Sequence, residues 1–190
     1  MLHDWSIDLR EYQRHEERRG RRHAFEQLDP ARTALVVVDM VAFFVEQNAY
    51  ARGIVDNIQR LAHALRSAGG LVAWVLPSTE PLPPARAEFF GPTVAERYRA
   101  SGGTGALRDR LWRELQVDDA DLLVEKSSPS AFFPGHCDLA PHLDRLGVDT
   151  VLVAGTVANV CCESTARDAS TLGYRVVMVA DANAAMRDQT

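Results

Sequence analysis

The stretch Thr33-Ala34-Leu35-Val36-Val37-Val38 is apolar or β-branched at every position rather than at every second one. A strand with one wet face alternates, whereas a strand covered on both faces does not, so this run predicts an interior strand of a parallel sheet. Residues 71–76, 121–125, 150–154 and 175–180 are four further short runs read as strands, and segments at helical spacing lie between them. Ile54, Ile58, Leu61, Ala62 and Leu65 mark a helix stopped by Gly69-Gly70; Leu107, Leu111 and Leu115 mark a second. Leu139, Leu143 and Leu146 belong to a third, ending at Gly147, and residues 159–172 form a fourth, ending at Gly173. Strands alternating with helices imply right-handed crossovers. The predicted fold is therefore α/β, a three-layer doubly wound parallel β-sheet with helices on both faces.

A chain of 190 residues that is 46% hydrophobic can bury one sizeable core. We expect a single domain over residues 31–190, preceded by a polar N-terminal arm over residues 1–30. Tyr12 and Phe25 are the arm's candidate anchors, on the domain or on a neighbouring subunit. Residues 77–103 are rich in Pro and Gly and read as an irregular excursion, of a length that often shapes a pocket. The net charge of −5 argues against a nucleic-acid partner, which would demand a concentrated basic surface. The one basic cluster, Arg18-Arg19-Gly20-Arg21-Arg22, has Glu16 and Glu17 beside it and reads as a solvated or subunit-contacting arm. Cys137, Cys161 and Cys162 are odd in number and include a vicinal pair, which fits a reducing compartment better than a disulfide framework. With no signal-peptide pattern and no apolar run of membrane-spanning length, a cytoplasmic protein with no membrane partner is expected.

Ligands of such sheets bind outside the carboxyl ends of the strands. Three chemically potent residues fall there: Asp39 after the first strand, Lys126 after the third and Cys161 after the fourth. Each has a bland reading when taken alone: a turn-capping carboxylate, a solvated amine, a small buried hydrophobe. For Cys137 and Cys162 the bland reading holds, because Cys162 shares a helical stripe with Ala166, Ala169 and Leu172. Cys161 sits about 100° round the helix, in its first turn, where backbone N–H groups and the macrodipole favour a thiolate. A carboxylate can take a thiol proton and return it to a leaving amine, and a buried ammonium keeps that carboxylate ionised. Loop N–H groups beside a helix start can hold an oxyanion.

With those residues in place, the chain resembles the isochorismatase-like cysteine hydrolases, a superfamily of Rossmann-like topology that includes nicotinamidases, N-carbamoylsarcosine amidohydrolases and ureidoacrylate amidohydrolases. The resemblance rests on Val36-Val37-Val38-Asp39-Met40 with Phe44, on Glu125-Lys126 with Ser130-Ala131-Phe132, and on residues 154–161 running on to Gly173-Tyr174. It implies Cys161 as nucleophile, Asp39 as general base and then acid, and Lys126 as the supporting charge. It also implies a cis peptide at Thr156–Val157, with the N–H groups of Val157 and Cys161 as an oxyanion hole. The reaction implied is hydrolysis of a C–N bond in a small amide, carbamoyl or lactam substrate through a thioester, by a homodimer or homotetramer.

The chain also departs from the family. Met40-Val41-Ala42-Phe43-Phe44 replaces the common Met-Gln-Asn-Asp-Phe, and His63 stands alone where nicotinamidases carry an Asp and two His for a metal. Neither a metal nor a cofactor is therefore expected. Isochorismatases proper lack the cysteine because they hydrolyse a vinyl ether, so Cys161 argues against that reaction; an ether- or ester-directed member of the fold is the first rival. A non-catalytic relative with a redox-sensitive or partner-binding cysteine pair is the second. Phe44, Leu76, Phe132 and Phe133, with Phe43 and Tyr50, are candidates to line an apolar pocket with His136 near its rim. No residue pair announces a carboxylate clamp. Relatives of this type usually continue through another helix and strand after the fifth, so the domain is expected to be truncated at its C-terminus.

Overall fold

A computed structural model of the chain describes residues 5–46 and 48–185. Five parallel strands, β1 (Thr33–Val38), β2 (Leu71–Pro77), β3 (Leu122–Lys126), β4 (Thr150–Thr156) and β5 (Arg175–Ala184), form one sheet in the order β3-β2-β1-β4-β5. The arm contributes α1 (Leu9–Arg19). Between β1 and β2 come α2 (Ala42–Val45), α3 (Ala49–Gly53) and α4 (Val55–Ser67), and between β2 and β3 come α5 (Pro84–Phe90), α6 (Pro92–Ser101) and α7 (Leu107–Arg110). Next in order, α8 (Leu139–Arg145) joins β3 to β4, and a π turn (Ala158–Cys162) leads into α9 (Glu163–Thr171) before β5.

The unbroken apolar run of β1 has its explanation in the two cores. Leu35 and Val37 face a cluster with Ile58, Ala62 and Leu65 of α4 and Trp74 and Leu76 of β2. Ala34, Val36 and Val38 face the opposite cluster, with Leu139 and Leu143 of α8 and Cys162 and Ala169 at the start and middle of the last helix. All six residues of β1 are buried, as the central strand of a three-layer α/β sheet requires. The chain winds outward from β1 to β3, then returns to the other side of β1 as β4. The reversal between β1 and β4 is the crevice where such sheets bind ligands.

Two local expectations need correction. Residues 77–103 are not irregular: Pro84 and Pro92 open the first turns of α5 and α6, and Gly91, with φ of 78°, separates them. Proline's fixed φ suits a helix start, so the composition that suggested an irregular excursion punctuates helices instead. The helix expected through Leu107, Leu111 and Leu115 stops at Arg110. Leu111 pairs instead with Val41 in an isolated antiparallel bridge, and the Trp112 N–H donates to the Met40 carbonyl at 2.8 Å, so tertiary pairing overrides helical spacing. The arm contains a full helix, capped by Asp8 at its start and by Gly20 at its end, although none of its residues is buried. Arg22 covers the Tyr12 ring, and Phe25 meets Arg175 at the start of β5. Among the described residues no helix is long and apolar enough to cross a membrane.

Candidate active site

The site begins with a sharp backbone turn. Asp39, directly after β1, has φ of 54°, a left-handed conformation that aspartate tolerates better than most residues. Its N–H donates to the Val75 carbonyl of β2, and the Thr156 hydroxyl donates to its carbonyl at 3.1 Å. The neighbouring strands thus fix the turn on both sides. The end of β4 can come this close only because residue 155 is glycine. A Cβ built there would lie 2.1 Å from the Val38 carbonyl oxygen, and φ is 114°.

Lys126 ends β3, separated from β1 by β2, a gap of roughly 9–10 Å between strand axes. Its long stem spans that gap and brings Nζ 2.8 Å from Asp39 Oδ2, with a second contact to the Ser128 carbonyl at 3.2 Å. Both side chains are nearly inaccessible, at 4% and 1% exposure. The loop after β3 is pinned where the ammonium needs it. The Ser128 hydroxyl donates to the Ser130 carbonyl, and the Ala131 N–H donates to Thr165 Oγ1 of α9.

Cys161 completes the group from the π turn, whose wide hydrogen bond runs from the Cys162 N–H to the Val157 carbonyl at 3.2 Å. Cys161 interacts with the Asp39 carboxylate, the Lys126 ammonium and the Val157 backbone N–H. Cys162, next along, is fully buried in the core. The Thr156–Val157 peptide is cis.

The electrostatics differ from the expectation of a ready thiolate. Burial, reinforced by the Asp39 charge, pushes the Cys161 thiol up to about 12. A carboxylate and an ammonium already neutralise each other, so a thiolate would add an uncompensated charge to a dry site. Burial also raises the Asp39 carboxyl above its ordinary value, against the lowering pull of Lys126. Burial works against the Lys126 ammonium, but attraction to Asp39 and Cys161 outweighs it and holds Lys126 above its ordinary value. The resting arrangement is an ion pair beside a neutral thiol. Asp39 Oδ2 is occupied by Lys126, while Oδ1 is buried without an N–H or O–H donor among the described residues. An ionised carboxylate with one open oxygen next to a thiol can accept the thiol proton at the moment of attack.

Asp39, Lys126 and Cys161 open together into a cavity of about 100 Å³, well below the roughly 300–1,000 Å³ of sites for drug-sized ligands. Of the aromatic residues expected around it, Phe44 lines it. Leu76, Phe132 and Phe133 do not. Leu76 is sealed in the core on the α4 side, Phe132 packs against Tyr174 in the other core, and Phe133 is half exposed against His136. Phe43 is partly exposed, and Tyr50 packs at the edge of the α4-side core. His136 bonds Ser127, which lines the cavity, without itself lining it. His63 lies on the exposed face of α4.

Apolar surface makes up most of the lining, as expected, with polar side chains set into it. Ser78, Glu80, Pro81, Leu82, Arg86, Tyr98 and Ser101 come from the α5–α6 excursion. Buried Arg110 holds that excursion closed at both ends, donating to the carbonyls of Pro77 and Gly102 and pairing with Glu125 at 2.8 Å. The sequence reading did not single out Arg110, whose one signal was its nearness to the Pro- and Gly-rich stretch.

Comparisons with known proteins agree with this architecture. The Isochorismatase domain model matches residues 33–190. The isochorismatase family protein YwoC of Bacillus subtilis is 31% identical over 85% of this chain and 82% of its own length. Ureidoacrylate amidohydrolase RutB of Rhizobium rhizogenes is 30% identical over 82% of this chain and 71% of its own. A solved cysteine hydrolase from Pseudomonas syringae pv. phaseolicola superposes with a TM-score of 0.73 at 32% identity, covering 85% of this chain and 76% of that one. A switch-point crevice holding a buried carboxylate, an ammonium and a thiol thus sits within a chain that belongs to the isochorismatase family of hydrolases, a family with amidohydrolase members.

Proposed function

We propose that the chain is a cysteine-dependent amidohydrolase that cleaves the C–N bond of a small amide, carbamoyl or lactam substrate through a thioester at Cys161. The observation that carries this reading is the open Oδ1 of Asp39, buried beside a neutral thiol, with the Lys126 ammonium 2.8 Å from its other oxygen. In the first half-reaction Asp39 takes the thiol proton as sulfur attacks the carbonyl carbon. The carbonyl π electrons move onto oxygen, which the N–H groups of Val157 and Cys161 stabilise. Collapse of that intermediate breaks the C–N bond, and protonated Asp39 gives its proton to the leaving nitrogen. In the second half Asp39 deprotonates water, whose oxygen attacks the thioester. The C–S bond then breaks and the sulfur recovers its proton. Throughout, Lys126 keeps the site near neutrality as charge moves between sulfur and carboxylate. The amidohydrolase name of the RutB relative supports the same C–N chemistry.

The test is ammonia release from a panel of primary amides, carbamoyl compounds and lactams, with intact-mass detection of an acyl adduct. Wild type should turn over at least one panel member and carry the adduct on Cys161, while Cys161→Ser should lose turnover. Full turnover by Cys161→Ser would sink the thioester, and loss with Cys162→Ser alone would move the nucleophile.

A further inference from the structure

Four serines line the cavity, and three of them use their hydroxyls on the backbone beside them. Ser78 Oγ accepts from the Glu80 N–H at 3.1 Å, and the hydroxyls of Ser101 and Ser128 each donate at 2.6 Å, to the carbonyls of Tyr98 and Ser130. Bonds of that short range shape loops and turns. Ser127, directly after Lys126, is different. Its Oγ lies 2.8 Å from Nδ1 of His136, nine residues along, and His136 stands behind the cavity wall rather than in it. Closure of the intervening loop does not depend on that bond. The Ser127 N–H already donates to the His136 carbonyl at 3.0 Å, and Lys126 pairs with Cys137 in an antiparallel bridge. The imidazole is in turn set edge-to-face with the Phe133 ring, 5.3 Å between centres.

Resting on the cysteine-amidohydrolase reading, we infer that the Ser127 hydroxyl donates to Nδ1 of His136 and turns its oxygen into the cavity, to accept an N–H of the substrate's leaving nitrogen. A hydroxyl has one hydrogen and two lone pairs, so a proton committed to the ring leaves the oxygen as an acceptor. Donation to the imidazole polarises that oxygen and strengthens what it accepts. The consequence falls on one step. After Cys161 attacks, the former amide nitrogen carries N–H and a single lone pair. That lone pair must take the proton from Asp39 before the C–N electron pair departs with nitrogen and the carbonyl re-forms. Rotation about the C–N bond carries the lone pair away from Asp39, and an acceptor for one N–H stops the rotation with the lone pair facing the acid. Ser127 touches the substrate, and His136 is a positioning residue that acts through it. An ester has no N–H on its leaving atom, and it leaves the Ser127 oxygen unpaired, so the pair favours nitrogen over oxygen leaving groups.

The experiment uses matched pairs that give Cys161 the same acyl group from nitrogen and from oxygen: propionamide with methyl propionate, and pyrrolidinone with butyrolactone. Their kcat/KM values are measured for wild type, Ser127→Ala, Ser127→Thr, His136→Phe and His136→Asn. Ser127→Ala should lower the nitrogen-to-oxygen ratio by about 3- to 10-fold, the effect of one hydrogen bond, with the loss lying in kcat for the nitrogen substrates. His136→Phe keeps a ring against Phe133 but removes the acceptor, and should lower the ratio less. His136→Asn, whose side-chain oxygen can stand in for Nδ1, should restore it, and Ser127→Thr, which keeps the hydroxyl, should hold it. A residue that merely fastens the loop would slow both members of a pair alike. An unmoved ratio in Ser127→Ala therefore overturns the inference while the amidohydrolase reading stands, and a ratio that survives His136→Phe overturns the part given to His136. If wild type hydrolyses neither propionamide nor pyrrolidinone, the inference is overturned. If it takes the esters and no amide, carbamoyl compound or lactam at all, the amidohydrolase reading is overturned with it.

Discussion

Two buried carboxylates stand at opposite ends of the sheet, and they are built differently. Asp121 lies just before β3, on the amino-terminal edge, and accepts four hydrogen bonds: two from Arg66, one from the Trp74 indole and one from the Asp118 N–H. Every lone pair that faces the protein has a donor, so this carboxylate fastens α4, β2 and β3 together. Asp39 lies just after β1, on the carboxyl-terminal edge. It has one ammonium on Oδ2, nothing but a thiol's company for the rest, and a cavity in front. A satisfied buried carboxylate is structural, whereas one left partly unsatisfied has capacity to take a proton.

Removing the two charges should separate these uses. Asp39→Asn should lower kcat by about 10²–10⁴-fold, the span of a lost general acid–base, while circular dichroism still reports a cooperatively folded chain. The same carboxylate sets the acid limb of the pH profile. Because burial raises Asp39 above 3.8, the base form is lost as pH falls through a midpoint above that value, and kcat/KM should drop about tenfold per pH unit below it. On the alkaline side Lys126 is held above 10.5 and the Cys161 thiol is pushed to about 12, so activity should persist to the alkaline end of the assay range. An acid midpoint at or below 3.8 would show that burial does not control this carboxyl.

Asp121→Ala should do the reverse. Breaking a buried pair costs about 3–5 kcal/mol in urea unfolding, while kcat/KM per folded molecule changes little; a specific loss of kcat would erase the distinction between the two ends. Arg110→Met tests the joint between scaffold and site. It frees the carbonyls of Pro77 and Gly102 and should cost about 1–3 kcal/mol, with KM rising more than kcat falls, because α5 and α6 loosen around the cavity. The smallest effect belongs to Cys162→Ala, about 1 kcal/mol of stability from a lost buried sulfur, with turnover retained. A turnover loss as large as that of Cys161→Ser would put both thiols in the chemistry.

The legibility of the molecule divides along the same line. The central strand was readable because a strand buried on both faces must be apolar along its length, as residues 34–38 are. Asp39, Lys126 and Cys161 were readable as a group because parallel strands place all their carboxyl ends on one edge. The α5 and α6 helices were hidden, since Pro84, Gly91 and Pro92 act as helix punctuation only once there is a body to pack against. Leu111 kept helical spacing, yet pairing with Val41 decided its conformation.

What the sequence determined by itself was local and periodic: the sheet, its direction of winding and the residues at its active edge. Tertiary structure alone decided the protonation of the site and the wall around it. Charge state follows from desolvation and from neighbours brought together across the fold, so Cys161, placed by sequence where a thiolate is favoured, is a neutral thiol once Asp39 and Lys126 enclose it. Arg86 and Arg110 look alike as letters in the chain. Only folding gives Arg110 three hydrogen-bonded partners and leaves Arg86 beside the Phe90 ring, because hydrogen bonds between distant residues depend on contacts that no periodicity encodes.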